Sequence, residues 1–424
     1  MNAFPITTRS TSSFSAFRAG LRNILRSDVL WVSLAFAALT SILFLQQNRV
    51  VGWEPGYNEL QPGHHGWVSS HTLAIIAHAT PENGFVGYAL ATSDENGERD
   101  YDYFDRYPVF FSAGMHAVLS WKPRLSTQVF LAKQMMNAVF VLTVVVAYLL
   151  LRKISGQTLA SMVAAVLGVS SRYLLFYKDM VHYDQPALLG MLLLTLAIAV
   201  HKVDSKKWPV YAATLTAVSL GRGYASISVL LVWLGLEALR ILRERGMSFA
   251  AKFSGVWKLD AFRALLLGTG WAALNLLYNI QVEAARRGIP LGETSIVQSA
   301  VNRLALNQDF NQSYLQLLNW RYFIADELVR LVRWSFPIWG YEGSVALSAV
   351  ILVLMLAVIV WFGRSLDAPR RMVLTVLVVS GAVWLAAMRN LSAFHDYTAM
   401  YFLGIPLALY LAVTRFFRLP RTVW

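Results

Sequence analysis

The sequence predicts an all-α polytopic membrane protein with about ten transmembrane helices. The chain has 424 residues, 56% of them hydrophobic, and its apolar runs of roughly 15 to 25 residues match the ~20 that cross a bilayer core. Its 37 Lys and Arg against 24 Asp and Glu give a net charge of +13. These cations fall between the runs, as the cytoplasmic loops of a membrane protein require. There is no internal repeat and no polar stretch that reads as a separate soluble domain. The scatter of basic residues argues against a nucleic-acid partner, and the absence of cysteine excludes disulfides and thiolate chemistry.

Residues 1–28 are Ser/Thr-rich and basic, a cytoplasmic lead-in. Residues 29–424 read as one transmembrane domain with two long exterior loops, 46–125 and 281–341. Arg9, Arg18, Arg22 and Arg26 lead into a first span at 29–45, which reads as a signal anchor. In the following polar segment, Trp67, Leu73, Ile75, Ile76 and Phe85 suggest a helix along the interface. Tyr107-Pro108 opens a run to Trp121 that is too short to cross untilted, hence a juxtamembrane helix. Further spans are expected at 126–151, 158–177, 186–200 and 264–280, with two short runs, 208–220 and 224–238, broken by Gly221-Arg222-Gly223-Tyr224. Tyr322 to Trp334 has the spacing of an interface helix. The last spans are expected at 342–362, 372–388 and 398–413.

With the amino terminus inside and 108–121 not crossing, the basic clusters 152–153, 202–207, 239–263, 364–371 and 415–421 all fall inside, as the Lys/Arg bias demands. Both termini are then cytoplasmic.

The same topology puts four polar clusters on the exterior face. The first loop carries Glu54, Glu59, His64, His65, Asp100, Asp102, Asp105 and Arg106; the second turn carries Lys178, Asp179, His182, Tyr183 and Asp184. Arg222 stands in its Gly-Arg-Gly break, and Arg389, His395, Asp396 and Tyr397 lead into the last span. His64 and His65 read as solvated loop residues, as proton-transfer or substrate-contacting groups, or as metal ligands. Adjacent histidines reach one ion only on an irregular backbone, which Pro62, Gly63 and Gly66 permit. Asp102 and Asp105 belong either to a hydrated acidic loop or to a site at the membrane surface. Asp184, two residues before Pro186, reads as a helix cap or as a functional carboxylate. Arg222 is expected below the exterior headgroups, where a cation snorkels, lines a wet cavity or meets an anion. His395-Asp396 is either a structural pair or an oriented histidine.

These motifs resemble those of the GT-C glycosyltransferases, integral membrane enzymes that use polyprenyl-phosphate sugars. The bacterial branch grouped with protein mannosyltransferases and lipid A aminoarabinose transferases is most similar. The likeness rests on His64-His65-Gly66-Trp67, Arg106-Tyr107-Pro108-Val109-Phe110-Phe111, Tyr183-Asp184-Gln185-Pro186, Leu220-Gly221-Arg222-Gly223-Tyr224 and Phe394-His395-Asp396-Tyr397 with Pro406. It implies a GT-C-like fold in a bacterial inner membrane, with an exterior active site, a catalytic carboxylate in the first loop and a basic residue gripping the carrier phosphate. Arg222 matches that basic position. Where relatives carry Asp-Glu, this chain has His64-His65, so Glu59, His64 and His65 compete as base, with Asp102 and Asp105 as further acids. Arg106, Tyr107, His182, Asp184, Arg222, Tyr224, His395, Asp396 and Tyr397 would bind substrate or carrier phosphate. The implied reaction is inverting transfer to a lipid, glycan or protein acceptor. No cofactor is required, although the His and Asp residues allow a divalent cation. A polysaccharide polymerase or ligase, or a flippase for a lipid-linked substrate, is the competing expectation.

Overall fold

The structure, a computed structural model, describes residues 33–35, 37, 63–93, 99–103, 106–244, 246, 248–297, 320–335, 343–388 and 396–416. The chain divides into two compact units, Met1–Gly52 and Trp53–Trp424. In the first, residues 33–35 and 37 are helical; the rest of the expected first span and the lead-in lie outside the described residues.

The second unit begins with α1 (Gly63–Ala77), the strands β1 (Tyr88–Ser93) and β2 (Arg99–Tyr103), and α2 (Phe110–Leu119). Next come α3 (Leu125–Ser155), α4 (Thr158–Val169), α5 (Arg172–Phe176), α6 (Asp184–Asp204), α7 (Trp208–Ser219) and α8 (Ala225–Arg243). They are followed by α9 (Phe249–Trp257), α10 (Asp260–Arg287), α11 (Trp320–Ser335), α12 (Val345–Arg364) and α13 (Ala368–Ala387). A 3₁₀ helix, Asp396–Leu403, runs into α14 (Gly404–Phe416).

Among the described residues, six helical segments are long and apolar enough to cross a membrane: α3, α6, α8, α12, α13 and Tyr397–Arg415. The chain is therefore an integral membrane protein. The expectation of about ten spans is not reached on this criterion, for identifiable reasons. The run 158–177 is broken after Val169, where Ser170 Oγ donates to Val166 O and Ser171 Oγ accepts from Leu174 N. Such local side-chain bonds compete with the helix ladder. At 12 residues each, α4 and α7 reach only about 18 Å at 1.5 Å per residue. The 28-residue α10 is long enough but buries Asn275, Asn279 and Glu283.

The described chain is mostly helical, as expected, with one two-stranded addition. β1 and β2 form an antiparallel pair in which Tyr88 faces Tyr103 and Ala89 faces Asp102. The rings of Tyr88 and Tyr103 meet at 5.3 Å, the aromatic cross-strand contact that steadies a hairpin. Nor does α1 simply lie along the interface. Its Ile76 packs with Met115 and Leu119 of α2, Ala132 and Met136 of α3, and Val181, while Phe85 lies beyond its end.

α6 forms the centre of the bundle, its buried residues extending from Asp184 to Ala199. At the far end of α6, Lys153 pairs with Asp204 at 2.6 Å, Lys202 with Glu237, and Lys207 with Asp260 at 3.1 Å. Thr414 Oγ1 reaches Ala160 O at 3.3 Å, and the Arg415 guanidinium lies over the Phe362 ring at 5.5 Å. Members or neighbours of all five predicted basic clusters thus share one end of the bundle. The residues around the start of α6 occupy the other.

Candidate functional site

At that opposite end, α7 stops at Ser219 and α8 starts at Ala225, leaving Arg222 between them. Gly221 makes the break possible. Its φ is +54°, and a Cβ there would stand 2.1 Å from Tyr183 O, so only glycine suits both the left-handed backbone and the close approach. In return Arg222 N donates to Tyr183 O at 3.0 Å, tying the break to the start of α6.

Arg222 is buried, and its Nη1 lies 3.2 Å from Asp184 Oδ1. Asp184 also receives a 2.6 Å hydrogen bond from Tyr401 Oη at Oδ1, and His182 Nδ1 stands 2.5 Å from Oδ2. The face of Tyr107 covers the guanidinium at 4.8 Å, a cation–π contact that gains strength when desolvated. Asn279 of α10 donates to Tyr107 O at 2.7 Å, and Ser112 of α2 bonds the Tyr183 hydroxyl at 2.8 Å. Five separate stretches of sequence therefore hold one buried Asp–Arg pair.

A second carboxylate lies close by. His65 Nε2 faces Asp179 Oδ1 at 3.5 Å, and Lys133 Nζ lies 3.2 Å from Asp179 Oδ2. The His65 ring stacks on Tyr177 at 5.8 Å. Tyr177 meets Tyr397 at 5.8 Å, and Tyr397 meets His182 at 5.3 Å, so the rings join the two acid–base groups into one centre. Val181 N donates to Ser69 Oγ at 3.1 Å, which pins the loop before α6 against α1. Burial raises the Asp179 carboxyl, but the His65 hydrogen bond and the charges of Lys178 and Lys133 outweigh it and hold Asp179 well below the usual carboxylate range. Burial lowers His182; Asp184 opposes and Arg222 assists, leaving His182 below its ordinary 6.5.

No family model and no curated protein sequence matches the chain.

Two polar atoms of this centre stand out. Both ring nitrogens of His65, and Nε and Nη1 of Arg222, are buried without a hydrogen-bond partner among the described residues; Nε2 and Nη1 face the carboxylates of Asp179 and Asp184 as ion pairs, which leaves His65 Nδ1 and Arg222 Nε. One is a potential proton acceptor, the other a donor on a cation.

The structure gathers His65, Tyr107, His182, Asp184, Arg222 and Tyr397 from the sequence candidates. Half-buried Arg106 adjoins Tyr107, and Tyr224 immediately precedes α8. Asp102 lies on β2. Asp396 opens the 3₁₀ helix. Glu59, Asp105 and His395 lie outside the described residues.

Two expectations are corrected. Asp184 does not act as a cap: it is the first residue of α6, Tyr183 occupies the cap position without a side-chain bond, and the carboxylate is spent on Arg222, His182 and Tyr401. The His64-His65 pair lies within the continuous helix α1 rather than on an irregular backbone. Among the described residues no three His, Asp or Glu side chains gather as metal ligands.

Sequence reasoning missed Lys133, Tyr401, Ser112 and Asn279. Lys133 did leave a signal, because a lone cation inside an apolar span is costly unless paired. Tyr401 left none, since an aromatic residue in an apolar stretch looks like core.

Proposed function

We propose that the chain is a membrane glycosyltransferase that moves a sugar from a polyprenyl-phosphate donor to a hydroxyl acceptor, with inversion. The observation that carries this reading is the pair of unpartnered buried atoms, His65 Nδ1 and Arg222 Nε, within one polar centre at one end of the bundle. Transfer with inversion needs two such groups, a base for the acceptor proton and a donor for charge developing on the leaving phosphate.

In this reading Asp179 holds the Nε2–H of His65, leaving Nδ1 to take the proton from the acceptor hydroxyl. The acceptor oxygen attacks the anomeric carbon, the bond to the phosphate oxygen breaks, and the electron pair leaves on the polyprenyl phosphate. Arg222 Nε donates to that oxygen while Asp184 fixes the guanidinium through Nη1. In this reading Arg222, which already has an anion in Asp184, serves as an oriented donor more than as an unbalanced charge. The first-loop carboxylate expected from the resemblance is Glu59, Asp102 or Asp105, and in this reading His65 takes the proton instead because Asp179 orients it.

The test is mass spectrometry of lipid retained by the purified full chain. Polyprenyl phosphate or its glycosylated form is expected on the wild type and reduced at least ~10-fold on Arg222→Gln paired with Asp184→Asn. Equal retention by that double variant removes Arg222 from the phosphate site. Solute movement across proteoliposomes with no glycosyl product would make the chain a transporter instead.

A further inference from the structure

Far from that centre, α9 is an amphipathic helix with an unusual outward face. Ser248 caps it, its side chain accepting from Ala251 N at 3.3 Å, and none of its nine residues is buried. Phe249, Phe253 and Trp257 are 80%, 56% and 51% exposed. Spaced at i, i+4 and i+8, they form one stripe. Phe253 and Trp257 meet edge to face at 5.7 Å, and Trp257 meets Phe262 of α10 at 4.4 Å. The other side of α9 is tethered to α8: Lys252 Nζ donates to Leu242 O at 2.7 Å, and a Cβ on Gly255 would lie 3.5 Å from the Ile241 side chain. The aromatic stripe is therefore turned away from α8 and open to its surroundings, with Trp257 resting partly on Phe262.

The surroundings of the stripe say what covers it. Between Leu239 and Arg263 the sequence holds six cations, Arg240, Arg243, Arg245, Lys252, Lys258 and Arg263, against two acids, Glu244 and Asp260. α9 starts six residues after the last residue of α8, Arg243, a helix able to span a membrane, so the edge of the bilayer falls within a few residues of it. At the same end Trp208 is 73% exposed, beside Lys206 and Lys207. Aromatic side chains settle at the boundary between headgroups and acyl chains, and clustered Lys and Arg attract anionic headgroups.

We infer that α9, with the basic residues around it, docks on an anionic lipid leaflet, the aromatic stripe entering the headgroup boundary while Arg243 and Lys258 meet lipid phosphates. This site is independent of the transfer chemistry at the opposite end of the bundle.

Because the chain has no cysteine, Phe253→Cys provides a single labelling position for a fluorophore. The labelled full chain, in vesicles of phosphatidylcholine and phosphatidylglycerol, is quenched by bromine carried on one lipid or the other at equal bromine content. Quenching by brominated phosphatidylglycerol should exceed that by brominated phosphatidylcholine at least ~3-fold, and Arg243→Gln with Lys258→Gln should bring the ratio close to one. Equal quenching by the two lipids in the parent protein overturns the anionic preference. A label quenched by neither lipid, or shielded by a second chain or a soluble protein, overturns the docking itself. Monodisperse elution and an unchanged melting temperature certify the double variant as folded.

Discussion

Tyr401 Oη donates a 2.6 Å hydrogen bond to Asp184 Oδ1, joining residues 217 positions apart in the chain. The contact fixes the 3₁₀ helix before α14 against the start of α6. It is supported by a close approach from α13, where a Cβ on Gly381 would lie 1.9 Å from Tyr401 O. The carboxylate that orients Arg222 is thus itself oriented from the last span. Tyr401→Phe keeps the ring and removes only the donor. It should leave the fold intact and lower turnover about 10-fold, since a hydrogen bond to a charged group is worth roughly 1.5–3 kcal/mol. Steady-state kinetics beside a melting curve check this; unchanged turnover would show that Asp184 needs no second anchor.

Removing one member of the Asp184–Arg222 pair should be worse for stability than removing both. Arg222→Ala strands a buried carboxylate, a loss of roughly 3–5 kcal/mol. Arg222→Gln with Asp184→Asn leaves no uncompensated charge and should melt closer to the wild type while remaining inactive. Thermal unfolding in detergent separates the cases, and a double variant less stable than either single one would contradict the pairing.

Gly221→Ala should be among the most damaging single substitutions. The left-handed φ of +54° and the 2.1 Å approach to Tyr183 O leave no room for a methyl group without moving α6. The expected loss is at least ~2 kcal/mol, the scale of strain at a special backbone position, read as a lowered melting temperature. A wild-type melting curve would mean that the break can move freely.

Stability should also depend on pH through two groups outside the spans. His182 is held below its ordinary 6.5, so the unfolded chain takes up a proton there before the folded one does. Its contribution is complete above pH 6.5 and is lost as pH falls toward the folded value. Asp179 is depressed below 3.8, so its contribution is present above that pH and lost as pH falls through its folded value. Melting temperature should therefore decline from pH 7 to pH 5, and His182→Gln should flatten that decline without touching the loss at lower pH. A decline of equal slope in the variant would assign it to another group.

Much of this arrangement was legible in the sequence, and the parts that were not have physical causes. The Gly-Arg-Gly break, the loop at 178–184 and Tyr397 were recognisable because charge and broken backbone are costly beside apolar runs. The basic clusters marked one end of the bundle for the same reason. Six of the expected spans meet the length and apolarity of a crossing among the described residues; α4 and α7 are short and α10 buries amides, features that apolar content alone does not reveal. The hairpin was invisible because β2, Arg99–Tyr103, is highly polar. Lys133 and Tyr401 were missed because their partners, Asp179 and Asp184, are far away in sequence.

Proton transfer by His65 is read from release of polyprenyl phosphate, the product common to every sugar and acceptor, by purified wild type and His65→Gln offered a panel of polyprenyl-phosphate sugars. Release is expected from the wild type, with a kcat roughly 10²–10⁴-fold lower in the variant and little change in KM, the scale of a lost general base. Release at the wild-type rate from His65→Gln, or none from the wild type with any donor, would contradict it.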